Sequence, residues 1–347
     1  MRPSVKEKYM SAADVADGDV LHEDVVTCDS LHRYSILYTQ PPPPSSSSSS
    51  SSEFSIRMST IYRRVPLAMA RTCHDSVHDS SDELIDRIWA SRLASSGGSL
   101  WDAPKFRFDS AHFDAKQACC VFHLGITSYK EYLGTNCSPD WKAYLDTSAE
   151  DSQTRHRHMA SSLGNGAIVE TKDGHVVLLQ RGTAVGEAPG LIVFPGGHAE
   201  PDEVPPLDDE HLVAAWKRAL TLTQNEADDL LAKYQPAIER EFLDSVWREV
   251  FEETGLSAED GDLDTSAARF LGITRRVENA RCTAFWCVSA PDLTKHDVEV
   301  RYARRSDKHE SVRLVCVHKD ALPQLAQNSM PGCHRGGAAL FLGTFDL

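Results

Sequence analysis

The sequence predicts an α/β sandwich preceded by a smaller α+β region, on three observations. Short apolar or β-branched runs separated by turn signals recur from about Leu163; a helical block interrupts them between Asp209 and Thr254; further strand-like runs follow it. Strands flanking helices in this order indicate helices layered on a sheet.

The first part of the chain, residues 1–75, reads as a disordered, low-complexity tail. It contains "QPPPPSSSSSSSS", Gln40 to Ser52, whose composition cannot bury enough apolar surface to offset the entropy of ordering it. A smaller α+β unit is expected over residues 76–160. "SSDELIDRIWASRL" opens it, where Ser81 can cap a helix with Leu84, Ile85, Ile88 and Leu93 near helical spacing. "WDAPKFRFDSAHF", "QACCVFHLGIT" and "SYKEYLGTN" then read as short strands and turns.

The main unit is expected over residues 161–347. "GAIVE" and "HVVLLQR" form a hairpin about "TKDGH", and "LIVF" is the next strand. Helix follows, roughly Asp209 to Tyr234 and then Pro236 to Thr254. Pro236 suits a first helical turn, and Gly255 followed by Leu256 suits a helix stop. "ARFLGITRR", "CTAFWCVSA" and "SVRLVCVHK" complete the strands.

The formal charge of −15 argues against nucleic acid or an anionic membrane as partner, since both require a positive footprint. No apolar run is long enough to span a bilayer, and the N-terminus lacks a signal-peptide core. An intracellular, cytoplasmic protein without membrane partners is therefore expected. Nine scattered cysteines, none paired at metal-ligand spacing, read as reduced thiols rather than a zinc site.

The chemistry concentrates in "REVFEETGL", Arg248 to Leu256. Glu249, Glu252 and Glu253 fall within about 100 degrees of one helical face, while Leu243, Val246, Trp247 and Val250 lie on the adjoining side. Like charges one turn apart repel unless a cation sits among them. Hard oxygen ligands at this density suit Mg²⁺, or Mn²⁺, with sites left for water and substrate phosphate. Arg248 is expected to pair with Glu252 one turn on.

Together with "GLIVFPGGHAEPDE", this stretch resembles the Nudix box, G-x5-E-x7-R-E-U-x-E-E-x-G-U with U aliphatic. Gly197 fills the first glycine, Glu203 the first glutamate, and Arg248, Glu249, Val250, Glu252, Glu253, Gly255 and Leu256 the remainder. About 44 residues separate Glu203 from Arg248 where the family pattern has seven, so an insertion over about 204–240 splits the box and puts the role of Glu203 in doubt. "LWDAPKFRFDSA", "LGITSYKEYLGTN" and "GEAPGLIVFPGGHAEP" extend the resemblance to the UDP-sugar diphosphatase subgroup. It implies a Nudix α/β/α sandwich with a mixed sheet, and metal-dependent cleavage of UDP-glucose or UDP-galactose to UMP and sugar 1-phosphate.

The resemblance also implies the site. Mg²⁺ would sit on Glu249 and Glu253 with Glu252 completing or supporting it, and Glu252 or Glu200 would take a proton from the attacking water. Trp101 and Tyr129 offer faces for a base, with Phe106 and Tyr132 as alternatives. Arg181 can fork onto phosphate. Gly186 admits close backbone approach, with Glu187 a weaker candidate nearby. Val193 or Phe194 faces the pocket. His198 and Glu200, directly after the Gly-Gly turn, reach phosphate, sugar or metal-bound water. Rival substrates on the same fold are ADP-ribose, NADH, dinucleoside polyphosphates and coenzyme A derivatives, and the rival from another class is an inactive nucleotide-binding module. The insertion is expected to be amphipathic, with Leu212, Trp216, Leu220 and Leu222 packing inward, and either caps the sugar pocket or braces the N-terminal unit.

Overall fold

A computed structural model describes residues 24–26, 34–39, 54–67, 81–97, 100–182, 188–304 and 311–344. Strands β1 (Asp24–Val26), β2 (Tyr34–Thr39) and β3 (Phe54–Met58) precede helix α1 (Ser81–Ser95). Strands β4 (Pro104–Asp114) and β5 (Cys119–Ser128) and helices α2 (Tyr129–Gly134) and α3 (Ser152–Arg155) follow. The second unit runs β6 (Leu163–Thr171), β7 (His175–Arg181), β8 (Ile192–Val193), β9 (Gly196–Gly197), α4 (Leu212–Ala219), α5 (Gln224–Ala232) and α6 (Gln235–Thr254). It ends with β10 (Arg269–Arg276), β11 (Cys282–Ala290), α7 (Lys295–Arg304), β12 (Ser311–His318), α8 (Leu322–Ser329) and α9 (Gly332–Leu342).

The main sheet has the order β1-β2-β10-β11-β6-β7-β12, with β8 added to β7 and β9 to β6. It is mixed, because β11 and β6 run parallel while the other paired strands are antiparallel. Alternation along β6 divides the core. Ala167 and Val169 face a cluster that takes in α4, α5 and α6, whereas Ile168 faces a second cluster built with α8 and α9. Helices therefore cover both faces, and the expected α/β/α sandwich with a mixed sheet is what the chain forms.

β3, β5 and β4 make a separate three-stranded sheet, which packs on α6 through Phe106 and Phe122 against Phe242. Two stretches inside the expected tail are structured parts of the sheets. β2 pairs with β10, burying Tyr34 and Tyr38, and β3 pairs with β5, burying Phe54, Ile56 and Met58. Their alternating apolar residues find sheet edges to join, which the neighbouring Pro/Ser composition concealed; that tract itself lies outside the described residues.

Two further differences are local. "SYKEYLG" forms α2 rather than a turn, since the Ser128 side chain caps it by accepting the Glu131 N–H. The insertion is two short helices, broken before a capping box formed by Thr223 and Glu226. Leu212 and Trp216 are buried as expected, but Leu220 and Leu222 are 44% and 37% exposed because they fall at and beyond the end of α4. Among the described residues no helix is long and apolar enough to cross a membrane.

Candidate active site

The site forms where α6 crosses β9. Asn165, buried in β6, fixes that crossing: its amide donates to the Phe242 carbonyl at 2.6 Å and to the Ser245 hydroxyl at 3.1 Å, and its Oδ1 accepts the Trp286 indole N–H at 2.6 Å. Ile238, Phe242, Val246 and Val250, one turn apart, are buried on the sheet side. The adjoining face brings Glu249 and Glu253 to β9, while Glu252 is exposed.

β9 lies against β6, with Gly196 opposite Gly166 and Gly197 opposite Asn165. A side chain is excluded at Gly196 and would displace a carboxylate at Gly197. Gly196 has φ +151°, and a Cβ there would overlap the Asn165 carbonyl; a Cβ on Gly197 would overlap the Glu249 carboxylate. The absence of side chains lets α6 come down onto the ribbon. Glu253 accepts the Gly196 N–H at 2.9 Å, so two carboxylates one turn apart meet two consecutive glycines.

Arg248 does not use Glu252. Its Nη2 donates to Glu241 Oε1 at 2.9 Å, two turns back, and the same oxygen accepts the Glu200 N–H at 3.0 Å. Glu252 is exposed, where a surface pair with Arg248 has little to gain, while Glu241 is only 4% exposed. Burial works to lower the Arg248 pKa, but the hydrogen bond and charge of Glu241, with the charges of Glu203 and Glu249, outweigh it and raise the pKa above its ordinary value. Glu203 is exposed and acts on Arg248 through its charge alone.

Glu241 is the residue that sequence reasoning missed. It is the partner of Arg248, the place expected for Glu252. The readable signal was a glutamate seven residues before Arg248, hence near the same helix face, directly beside the apolar seam residue Phe242.

The remaining expected residues divide. His198 stands at the rim, its Nε2 3.2 Å from the Ser162 hydroxyl and 3.5 Å from Arg281 Nη2. Glu200 forms an ion pair with Lys105 of β4, so the small sheet supplies a cation to this edge. Val193 is buried opposite Leu179, and Phe194 turns into the α8/α9 core, its N–H donating to His334 Nδ1 at 3.1 Å. Arg181 ends β7, its backbone N–H donating to the Leu191 carbonyl at 3.0 Å. Trp101 is 75% exposed, and Tyr129, at the start of α2, meets Trp89 edge-on with ring centroids 6.4 Å apart. Phe106 and Tyr132 are core residues, 1% and 5% exposed, and present no face for stacking. Gly186 and Glu187 lie outside the described residues.

The donor chemistry at Glu249 and Glu253 fits a hard divalent cation, and the Glu249 carboxylate lies where a Cβ of Gly197 would be. Among the described residues, no three His, Cys, Asp or Glu side chains converge closely enough to hold a metal by themselves. Glu252 is exposed, and Glu200 is paired with Lys105.

No family model matches the sequence. The chain is 34% identical over 317 residues to Nudix hydrolase 9 of Arabidopsis thaliana, covering 89% of this chain and 90% of that protein. It is 32% identical over 255 residues to the uridine diphosphate glucose pyrophosphatase of Homo sapiens, covering 72% and 76%. A solved structure of the MutT protein from Methanosarcina mazei Go1 overlaps 52% of this chain and 92% of its own at 16% identity and a TM-score of 0.28. With 34% identity to Nudix hydrolase 9 along 89% of the chain, and the REVFEETGL turn seated on its Gly-Gly strand, this protein belongs to the Nudix hydrolases.

Proposed function

We propose that the chain hydrolyses the diphosphate bond of UDP-sugars such as UDP-glucose and UDP-galactose, releasing UMP and sugar 1-phosphate. The observation that carries this reading is the pairing of Glu249 and Glu253 with the Gly196-Gly197 ribbon, in a chain 32% identical to a uridine diphosphate glucose pyrophosphatase. The function needs Mg²⁺ or Mn²⁺, which Glu249 and Glu253 would hold. A bound divalent ion supplies charge neutralisation for the diphosphate and acidity for water.

The chain's own residues do the rest. Glu241 locks Arg248 and the Glu200 backbone, and thereby the turn of α6 that carries the carboxylates. His198 and Arg281, beside the Gly-Gly turn, offer donors to phosphate oxygens. Glu252 is solvent-facing and takes the proton from attacking water; Glu200 is the alternative base once its ion pair with Lys105 opens. Trp101 and Tyr129 present aromatic surface for the base, where stacking contributes about 1–3 kcal/mol.

A substrate panel tests the reading. UDP-glucose, UDP-galactose, ADP-ribose, NADH and a diadenosine polyphosphate are incubated with Mg²⁺ and mononucleotide release is followed. Release of UMP from the UDP-sugars, at least about tenfold above AMP from the others, is the expected outcome, a margin of about 1.4 kcal/mol. A preference for an adenine nucleotide would overturn the uridine assignment, and inactivity on every compound would leave the nucleotide-binding module as the surviving reading.

A further inference from the structure

A cleft of about 670 Å³ lies between insertion helix α4, helix α1 and the junction of β5 with α2. That volume suits a small molecule. One wall is apolar, formed by Val213, Trp216 and Leu220 of α4 with Ile85 of α1. The rest is polar and negative on balance, five carboxylates against three cations. At the far wall Arg64, its side chain 8% exposed, donates from Nε to Glu131 at 2.7 Å and from Nη2 to Asp82 at 2.9 Å. Its Nη1 is buried without a hydrogen-bond partner among the described residues. Such a group is costly unless something accepts from it.

These features select a ligand class. A phosphate would satisfy Arg64 but meet the surplus of carboxylates, and a cation would satisfy the carboxylates but meet Arg64, Lys130 and Lys217. A hydroxyl both donates and accepts. A polyhydroxyl ring also has an apolar face to lay on Trp216 and Leu220.

We infer that this cleft seats the uncharged sugar ring of the nucleotide sugar, and that the insertion is present to form its apolar wall. The inference rests on the proposed activity. It is supported by continuity: of the cleft's lining, Pro104 precedes Lys105 and Asp202 lies two residues after Glu200, which pairs with Lys105 and donates its N–H to Glu241, the partner of Arg248. The sugar end of the substrate lies on the insertion side, and the diphosphate on the Gly-Gly side.

The test narrows the cleft without touching the carboxylate site. Leu220 is 44% exposed, so Leu220→Trp fills space with little disturbance to the core. Steady-state rates are compared on UDP-glucose, UDP-galactose and the methyl ester of UDP, which carries no sugar. The expected result is a KM for both UDP-sugars raised about tenfold, as for loss of about one good contact, with kcat/KM for the methyl ester within about twofold of wild type. Asp202→Ala is expected to alter the ratio of UDP-glucose to UDP-galactose turnover. Equal effects on ester and sugars, or none on either, would overturn the assignment. If wild-type protein cleaves no UDP-sugar, the activity fails, and the cleft is judged alone by methyl NMR with UDP-glucose: shifts at Val213 and Leu220 support it, and their absence overturns it.

Discussion

Replacing Glu241 with glutamine tests which carboxylate holds Arg248, because Glu241 makes its hydrogen bond whereas Glu203 reaches it through charge alone. Glu241 is 4% exposed and one of its oxygens accepts both the Arg248 guanidinium at 2.9 Å and the Glu200 N–H at 3.0 Å. Hydrogen bonds involving a charged group contribute about 1.5–3 kcal/mol each, and breaking a buried ion pair costs about 3–5 kcal/mol. The Arg248 side chain remains 36% exposed, so water compensates part of the loss, and glutamine keeps an acceptor in place. Glu241→Gln is therefore expected to destabilise by about 2 kcal/mol and Glu241→Ala by about 3 kcal/mol. Both substitutions loosen the turn that aims Glu249 and Glu253, so kcat/KM should fall by on the order of 10- to 100-fold. Glu203→Gln, at an exposed position, should change stability by no more than about 0.5 kcal/mol. Denaturant midpoints and steady-state rates on the three variants provide the comparison. A Glu203 variant impaired as much as Glu241→Gln, or a Glu241→Gln protein indistinguishable from wild type, would refute the reasoning.

Other predictions follow from the same contacts. Gly197→Ala places a methyl group on the Glu249 carboxylate and should abolish turnover while thermal melting shifts by only a few degrees. Asn165→Ala leaves the Trp286 N–H without its acceptor and removes two bonds to α6, an expected loss of about 2–4 kcal/mol in a denaturant titration. Acid sensitivity should come from two half-buried histidines. Burial, with the charges of His112 and Arg57, lowers the His123 pKa to about 4, and burial with Arg275 lowers that of His156 to about 3. Depressed folded values mean that the unfolded chain takes up these protons first. Stability is full above about pH 6.5 and declines as pH falls toward the folded values, by on the order of 2–4 kcal/mol per histidine. Melting temperatures recorded between pH 7 and 4 should fall accordingly, and His156→Gln should flatten the slope.

Elements with a strong period were legible in the sequence. β6, β7, β10, β11 and β12 appear where alternation and turn residues place them, and α6 begins by Pro236 and stops at a left-handed Gly255. The glutamate face was legible for the same reason, since helical spacing alone sets it. What was hidden depends on partners distant in sequence. β2 and β3 are short strands whose status is decided by the edges of β10 and β5, and no local signal announces those edges. The Arg248 partner was misread because nearness along the helix favoured Glu252, whereas burial decided for Glu241. Lys105 reaches Glu200 only because the small sheet docks on α6, a tertiary event. Trp101 illustrates the converse: its exposure, which the sequence could not supply, is what distinguishes it from the buried Phe106 as a surface for a ligand.

The most direct measurement is phosphorus NMR of UDP-glucose incubated with Mg²⁺ and either wild-type protein or Glu253→Gln. The account predicts resonances of UMP and glucose 1-phosphate growing together with wild type, and an unchanged diphosphate with the variant. Equal product formation by both proteins would contradict the assignment of catalysis to the carboxylates on the Gly196-Gly197 ribbon, and no product from either would contradict the proposed substrate.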